Sequence, residues 1–213
     1  LKPISFDTMR ELRDFTEEQK GSNLKVYGFP HHHSQYCLEN FQDSVDKFDK
    51  SQIRTFNIDI EVTSDAGFPE ADEAKYPVTA LCLYDSVADK FVTFGIGEWN
   101  QDESILPADV ADKVVYIECE SELKLFEKFM KYWQKFTPSI VTGWNIDGFD
   151  MPYLVNRANN LGLDANKFSP WNAVDVREKF LNGQKMLSVN ILGVDIIDYM
   201  AIYKKNKVQD SYR

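Results

Sequence analysis

The stretch IRTFNIDIEVTS, residues 53–64, alternates apolar and polar side chains with a period of two. Phe56, Ile58, Ile60 and Val62 fall on one side and Asn57, Asp59, Glu61 and Thr63 on the other, the pattern of a strand with one buried face. Asp59 and Glu61 therefore share a face, about 7 Å apart along the strand. Two carboxylates so placed are either the solvated side of an ordinary half-buried strand or part of a site that needs aligned acids.

Downstream, VTALCLYD (78–85), KFVTFGI (90–96) and KVVYIE (113–118) read as further strands, the first two joined by the hairpin-like Ser86–Asp89 stretch. Successive strands with short links predict an antiparallel meander of three or four strands. Ser121 then caps a helix, SELKLFEKFMKYWQKF (121–136), with Leu123, Phe126, Met130 and Trp133 as its buried stripe. Lys124, Lys128, Lys131 and Lys135 lie on its other side, as a solvated face or a stripe that tracks phosphates. SIVTGWN (139–145) reads as a short buried strand, and MPYLVNRANNLG (151–162) as a helix ending at Gly162. Asn182-Gly183 between two extended runs marks a hairpin from about Val176 to Val189. GVDIIDYMAIYKK (193–205) leads from a strand or turn into a helix. The pattern is an α/β fold, a mixed sheet with helices packed on it.

Residues 1–52 read differently. FDTMRELRDFTEEQKG (6–21) predicts an amphipathic helix ended by Gly21, and NLKVYGF (23–29) a short strand. The polar stretch 30–52 is weakly periodic, and the adjacent His31, His32 and His33 fit a solvent-facing loop better than a metal site. The expected division is a partial N-terminal domain over 1–52 and a second domain over 53–213. The chain starts at Leu1 rather than Met and stops at Tyr212-Arg213 soon after an apparent helix, which suggests a piece of a longer protein.

The 213 residues carry a formal net charge of −10, so phosphate binding by basic side chains alone is excluded and cations must supply positive charge to any nucleic acid it holds. Cys37, Cys82 and Cys119 are few, odd in number and far apart, which suits reduced thiols. No apolar run reaches the about 18 residues of a membrane span, and no secretory signal is visible, so no membrane partner is expected.

TGWNIDGFDMPY, residues 142–153, sets Asp150 where a strand and turn give way to a helix, with Pro152 in the first turn. Asp150 there is either a plain N-cap or a third carboxylate beside Asp59 and Glu61. Such hard oxygen ligands select Mg²⁺ or Mn²⁺.

NIDIEVTSDAGFPE (57–70) followed by TGWNIDGFDMPY resembles the first two exonuclease motifs of family B DNA polymerases, as found in the replicative polymerases of T-even-type bacteriophages. The likeness runs from Ile53 to about Lys205, and LKVYGF (24–29) is similar, more weakly, to the end of their N-terminal domain. The resemblance implies an RNase H-like fold and a 3′→5′ proofreading exonuclease acting on the single-stranded 3′ end of a DNA primer, in the cytoplasm of the phage's host cell. It implies two ions, Mg²⁺ or Mn²⁺: Asp59 bridging both, Glu61 on the one that activates water, Asp150 on the other. It also implies that Phe68 stacks beside the frayed terminal bases, against the alternative of a loop aromatic buried by its neighbours. Asn145 and Phe149 match positions that shape the terminal-nucleotide pocket, and Asp198 one that supports the site from behind. The 176–189 hairpin resembles one that separates primer from template, or is a plain surface hairpin.

The family's third motif, Tyr-x-x-x-Asp, does not occur in the sequence, and neither do the palm motifs of DNA synthesis. The expectation is an exonuclease module with three of four carboxylates and impaired activity, working with the remainder of the polymerase chain. The alternative is a binding module without chemistry, or a split-polymerase subunit that needs its other half.

Overall fold

A computed structural model describes residues 2–27, 32–42, 49–64, 67–181 and 184–206. The chain forms two compact units, Leu1–Asp49 and Lys50–Arg213.

The first unit holds helices α1 (Met9–Gln19) and α2 (His32–Phe41). α1 starts at a reciprocal cap: Thr8 Oγ1 accepts from the Glu11 N–H, and the Glu11 carboxylate accepts from the Thr8 N–H. Two expectations fail here. His32 and His33 begin α2 rather than lying in a loop; the segment forms a helix whose exposed side is supported by a side-chain bond from Gln35 Nε2 to Glu39 Oε1 at 2.9 Å. Residues 23–27 form no strand, since no neighbouring strand among the described residues pairs with them; residues 28–31 lie outside the described set.

The second unit is built on β1 (Thr55–Val62), β2 (Val78–Asp85) and β3 (Lys90–Ile96), then a short helix α3 (Ala108–Ala111) and β4 (Val114–Cys119). α4 (Glu122–Phe136), β5 (Ile140–Gly143) and α5 (Asp150–Asn160) follow. β6 (Val174–Leu181) and β7 (Gln184–Ile191) pair as an antiparallel hairpin whose turn, Asn182-Gly183, lies outside the described residues. β8 (Asp195–Asp198) and α6 (Tyr199–Asn206) complete it.

Among the described residues the main sheet has six strands in the order β4-β3-β2-β1-β5-β8. β1, β2 and β3 form the expected antiparallel meander, but β4 runs parallel to β3. The link between them is not a tight turn: residues 97–113 include α3 and return the chain to the end from which β3 started. β1, β5 and β8 are mutually parallel neighbours, so the sheet is mixed as expected.

Phe56, Ile58 and Ile60 of β1, with Leu81, Leu83, Val92 and Phe94, pack on the aromatic face of α4 and on α5. Burial of each such side chain is worth about 1.5–3 kcal/mol, which holds β1 with its apolar face inward and its carboxylates outward. On α4 the buried residues are Leu125, Phe126, Phe129, Met130 and Trp133, whereas Leu123 is 38 % exposed. Capping by Ser121 places Leu123 in the first turn, outside the buried face that starts at Leu125.

Asp85 fastens the start of β1 and the β2–β3 turn to α4. Fully buried, it accepts from Arg54 Nη1 (3.0 Å), Tyr132 Oη (2.8 Å) and the amides of Val87 and Ala88. Burial and this carboxylate hold the Tyr132 phenol well above its ordinary range. Replacing Asp85 by Ala leaves Arg54 and Tyr132 without their acceptor and is expected to cost about 3–5 kcal/mol in urea denaturation followed by tryptophan fluorescence. Arg54→Ala is expected to cost less, because its side chain keeps 21 % exposure.

Candidate active site on the central strand

β1 is twice the length of β5, and the two pair only from Thr55–Ile140 to Asn57–Thr142. Beyond that the chain leaves the sheet at Gly143. A side chain there is impossible in place: its Cβ would lie 2.6 Å from the Ile58 carbonyl oxygen. The edge of β1 past Ile58 is therefore unpaired by strand, and the turn 144–149 brings Asp150 back to it. Asp150 Oδ1 accepts the Ile60 N–H at 3.3 Å. The amide lies between Asp59 and Glu61, both exposed on the outer face. This is the crevice at the carboxyl ends of β1 and β5, where the chain has departed in opposite directions along the sheet.

The turn is held from behind. Asn145 adopts φ 56°, a left-handed conformation Asn tolerates better than most residues. Its N–H donates to Asp198 Oδ1 (3.1 Å), which also accepts from Met200 (2.8 Å), while Asp198 Oδ2 accepts from the Asp147 N–H (3.3 Å). Asp198 thus caps α6 and ties the 145–147 turn to the end of β8. Asp150 is the first residue of α5, and its side chain makes no cap; Phe149 occupies that position.

Phe149 packs, with tilted rings, between Phe68 (centroids 4.7 Å apart) and the buried Tyr153 (5.3 Å). Phe68 is 73 % exposed, so it is not a loop aromatic buried by neighbours. On the other side of Asp59, Cys82 is its cross-strand partner on β2, and accepts a hydrogen bond from Thr93 Oγ1 at 3.2 Å. Burial, with a smaller contribution from Asp59, pushes the Cys82 thiol up. A register shift lies between Glu61 and Val62, a bulge of the kind that re-aims side chains beside functional sites.

Asp150 is 4 % exposed, and burial, then the charge of Asp59, push its carboxyl up to about 7. Its own helix amide, the Ile60 N–H and the helix start pull the other way without offsetting this. Asp59, Glu61 and Asp150 do not close into a tight cage; among the described residues no three His, Cys, Asp or Glu side chains do. Two carboxylates two positions apart on one strand are spread by the strand's own rise, and like charges do not draw together. A cavity of about 420 Å³ lies beside Asp147, between the β6–β7 hairpin and β8, and none of the three carboxylates lines it.

The Ile60 amide could not be found from side-chain patterns, because it is backbone. The Cys82–Asp59 pairing needed the register, which alternation alone does not supply.

The fold and this site define the class. Residues 11–213 match the DNA polymerase family B exonuclease domain, and the chain belongs to that family. It is similar to the DNA-directed DNA polymerases of Escherichia phage RB69, 30 % identical over 94 % of this chain, and Enterobacteria phage T4, 28 % identical over 95 %. The DNA polymerase catalytic subunit of Psittacid herpesvirus 1 is 28 % identical over 93 % of the chain. The chain spans 24 % of the length of each phage relative. Among the described residues no helix is long and apolar enough to cross a membrane.

A carboxyl whose folded pKa lies above its unfolded value stabilises the fold fully at low pH, and that contribution is lost as pH rises through the folded value. In EDTA, stability against urea is expected to fall by about 2–4 kcal/mol between about pH 5 and pH 8. Asp150→Asn, which keeps an acceptor for the Ile60 N–H, is expected to flatten that profile and be the more stable protein at the upper end.

Proposed function

We propose that this crevice is a 3′→5′ proofreading exonuclease site, which hydrolyses the 3′-terminal phosphodiester of single-stranded DNA. The observation that carries the reading is the docking of Asp150 on the β1 edge between Asp59 and Glu61, with a carboxyl burial leaves uncompensated. A buried acid beside two exposed acids raises the energy of the ionised site, and a cation relieves it. The donor set is all carboxylate oxygen, which fits Mg²⁺ or Mn²⁺.

Asp59, Glu61 and Asp150 would hold the ions. Two such ions lower the pKa of the attacking water and offset charge on the phosphate and the leaving 3′-oxygen. The protein's own part is placement. Phe68 and Phe149 offer a pair of packed aromatic rings for the terminal bases to stack on, a recognition that tolerates any sequence, as proofreading requires. Asn145 shapes the floor of the nucleotide pocket, and Asp198 keeps the turn beneath it in register. The β6–β7 hairpin would help part primer from template. In this reading residues 1–52 are the end of the polymerase's N-terminal domain and 53–213 the exonuclease domain, a division that the two compact units support. Its partners are a DNA primer 3′ end and the rest of the polymerase, in a host cell's cytoplasm.

The alternative reading is nucleic-acid binding without hydrolysis by these 213 residues, among which Tyr-x-x-x-Asp does not occur.

A 5′-labelled single-stranded oligonucleotide incubated with Mn²⁺ decides between them. The expected result is a ladder shortening from the 3′ end, slowed by at least about a hundredfold in Asp59→Ala. Binding with no shortening in either protein supports the second reading instead.

A further inference from the structure

The loop that carries Phe68 connects β1 to β2, and backbone groups of its residues Ala71, Glu73, Ala74, Lys75 and Tyr76 are met by one face of α5. The Tyr153 hydroxyl donates to the Tyr76 carbonyl (2.6 Å) and accepts the Tyr76 N–H (3.0 Å). One turn on, Asn156 Nδ2 donates to the Ala71 carbonyl (2.9 Å). Arg157 Nη1 reaches the carbonyls of Ala74 (3.1 Å) and Lys75 (2.8 Å), while its Nε and Nη2 make a forked pair with Glu122 at 2.8 and 2.6 Å. Asn160 Nδ2 donates to the carbonyls of Glu73 (2.9 Å) and Ala74 (3.2 Å).

These side chains recur at the three- and four-residue spacing of a single helix face. Glu122 also accepts the Val78 N–H at 2.7 Å, so the same ion pair fixes the start of β2. At the centre of the clamp Ala74 is fully buried at φ 41°, a conformation that costs a residue with a Cβ about 1 kcal/mol or more and persists only where its surroundings impose it. α5 thus carries the Asp150 carboxylate at its first residue, the Phe149 ring just before it, and the loop's anchor points along its side.

We propose that Tyr153, Asn156, Arg157 and Asn160 are positioning residues that set the exposed Phe68 ring against the terminal base, at a fixed distance from the carboxylates. This rests on the exonuclease reading above. The polar groups of the clamp act through the loop that carries Phe68 and not on substrate; the Tyr153 ring also packs on Phe149, a contact that Tyr153→Phe leaves in place. Loss of those polar groups lets the Phe68 ring wander while leaving Asp59, Glu61 and Asp150 where they are.

The test is a double-mutant cycle on the 213-residue chain. The probe is a 5′-fluorescein single-stranded oligonucleotide, protected from shortening by 3′-terminal phosphorothioate linkages, and affinity is read by anisotropy with Mg²⁺. Tyr153→Phe keeps the ring and removes one hydroxyl; Asn156→Ala/Asn160→Ala removes one half-buried and one exposed amide and carries the test if Tyr153→Phe fails to fold. Each is expected to weaken binding about three- to tenfold, and Phe68→Ala by about tenfold. Combined with Phe68→Ala, neither is expected to weaken binding further. Fold-changes that multiply in the combined variants, or clamp variants that bind like the wild type while Phe68→Ala does not, overturn the inference alone. A wild type that fails to bind, or a Phe68→Ala variant that binds as tightly, removes the base-stacking reading and the inference with it.

Discussion

Past Asn57 the central strand loses its parallel neighbour, and one amide on its open edge, that of Ile60, is taken by a carboxylate instead of a strand. A buried backbone N–H must find an acceptor. Asp150 supplies it, and so is brought to the strand edge beside Asp59. The cost is a buried carboxyl pressed toward neutrality by burial and by Asp59. Ordinary strand pairing would have covered the edge without that cost. The short β5, the bare Gly143 against the Ile58 carbonyl, and the left-handed Asn145 keep strand pairing from doing so.

Around this point the scaffold is rigid where rigidity fixes the acids. Asp85, Arg54 and Tyr132 hold one end of β1 and β2 on α4. Asp198 holds the turn ahead of α5 from the far edge of the sheet. The Glu122–Arg157 fork joins α4, α5 and the start of β2. Each is a charged or polar group satisfied several times over, the condition under which a buried polar network specifies geometry instead of weakening the core. The acids on the outer face of β1, Asp59 and Glu61, are left open to solvent.

Much of the scaffold was legible in the sequence. The two faces of β1 follow from alternation, the start of α4 from Ser121, the β6–β7 pairing from Asn182-Gly183, and the end of α5 from Gly162, because each rests on short-range chemistry. What misled was tertiary. Short links implied that β4 would turn back on β3, but a 17-residue connection, 97–113, allowed a parallel return. Leu123 fits the helical stripe by count and misses the core by position. The histidines looked like loop because their segment has little apolar periodicity, yet local hydrogen bonds suffice for one short helix.

The sequence by itself determined which residue types would meet: two acids on one strand face, a third at a helix start, and an aromatic on the loop between. Periodicity of two and the chemistry of helix starts are local, and they survive in any fold that accepts the pattern. Only the tertiary structure decided that Asp150 docks on the amide between Asp59 and Glu61, and that one face of α5 grips the loop carrying Phe68. Both depend on where β5 ends relative to β1 and on backbone groups far apart in the chain, and no spacing along the sequence encodes the partner of a backbone amide.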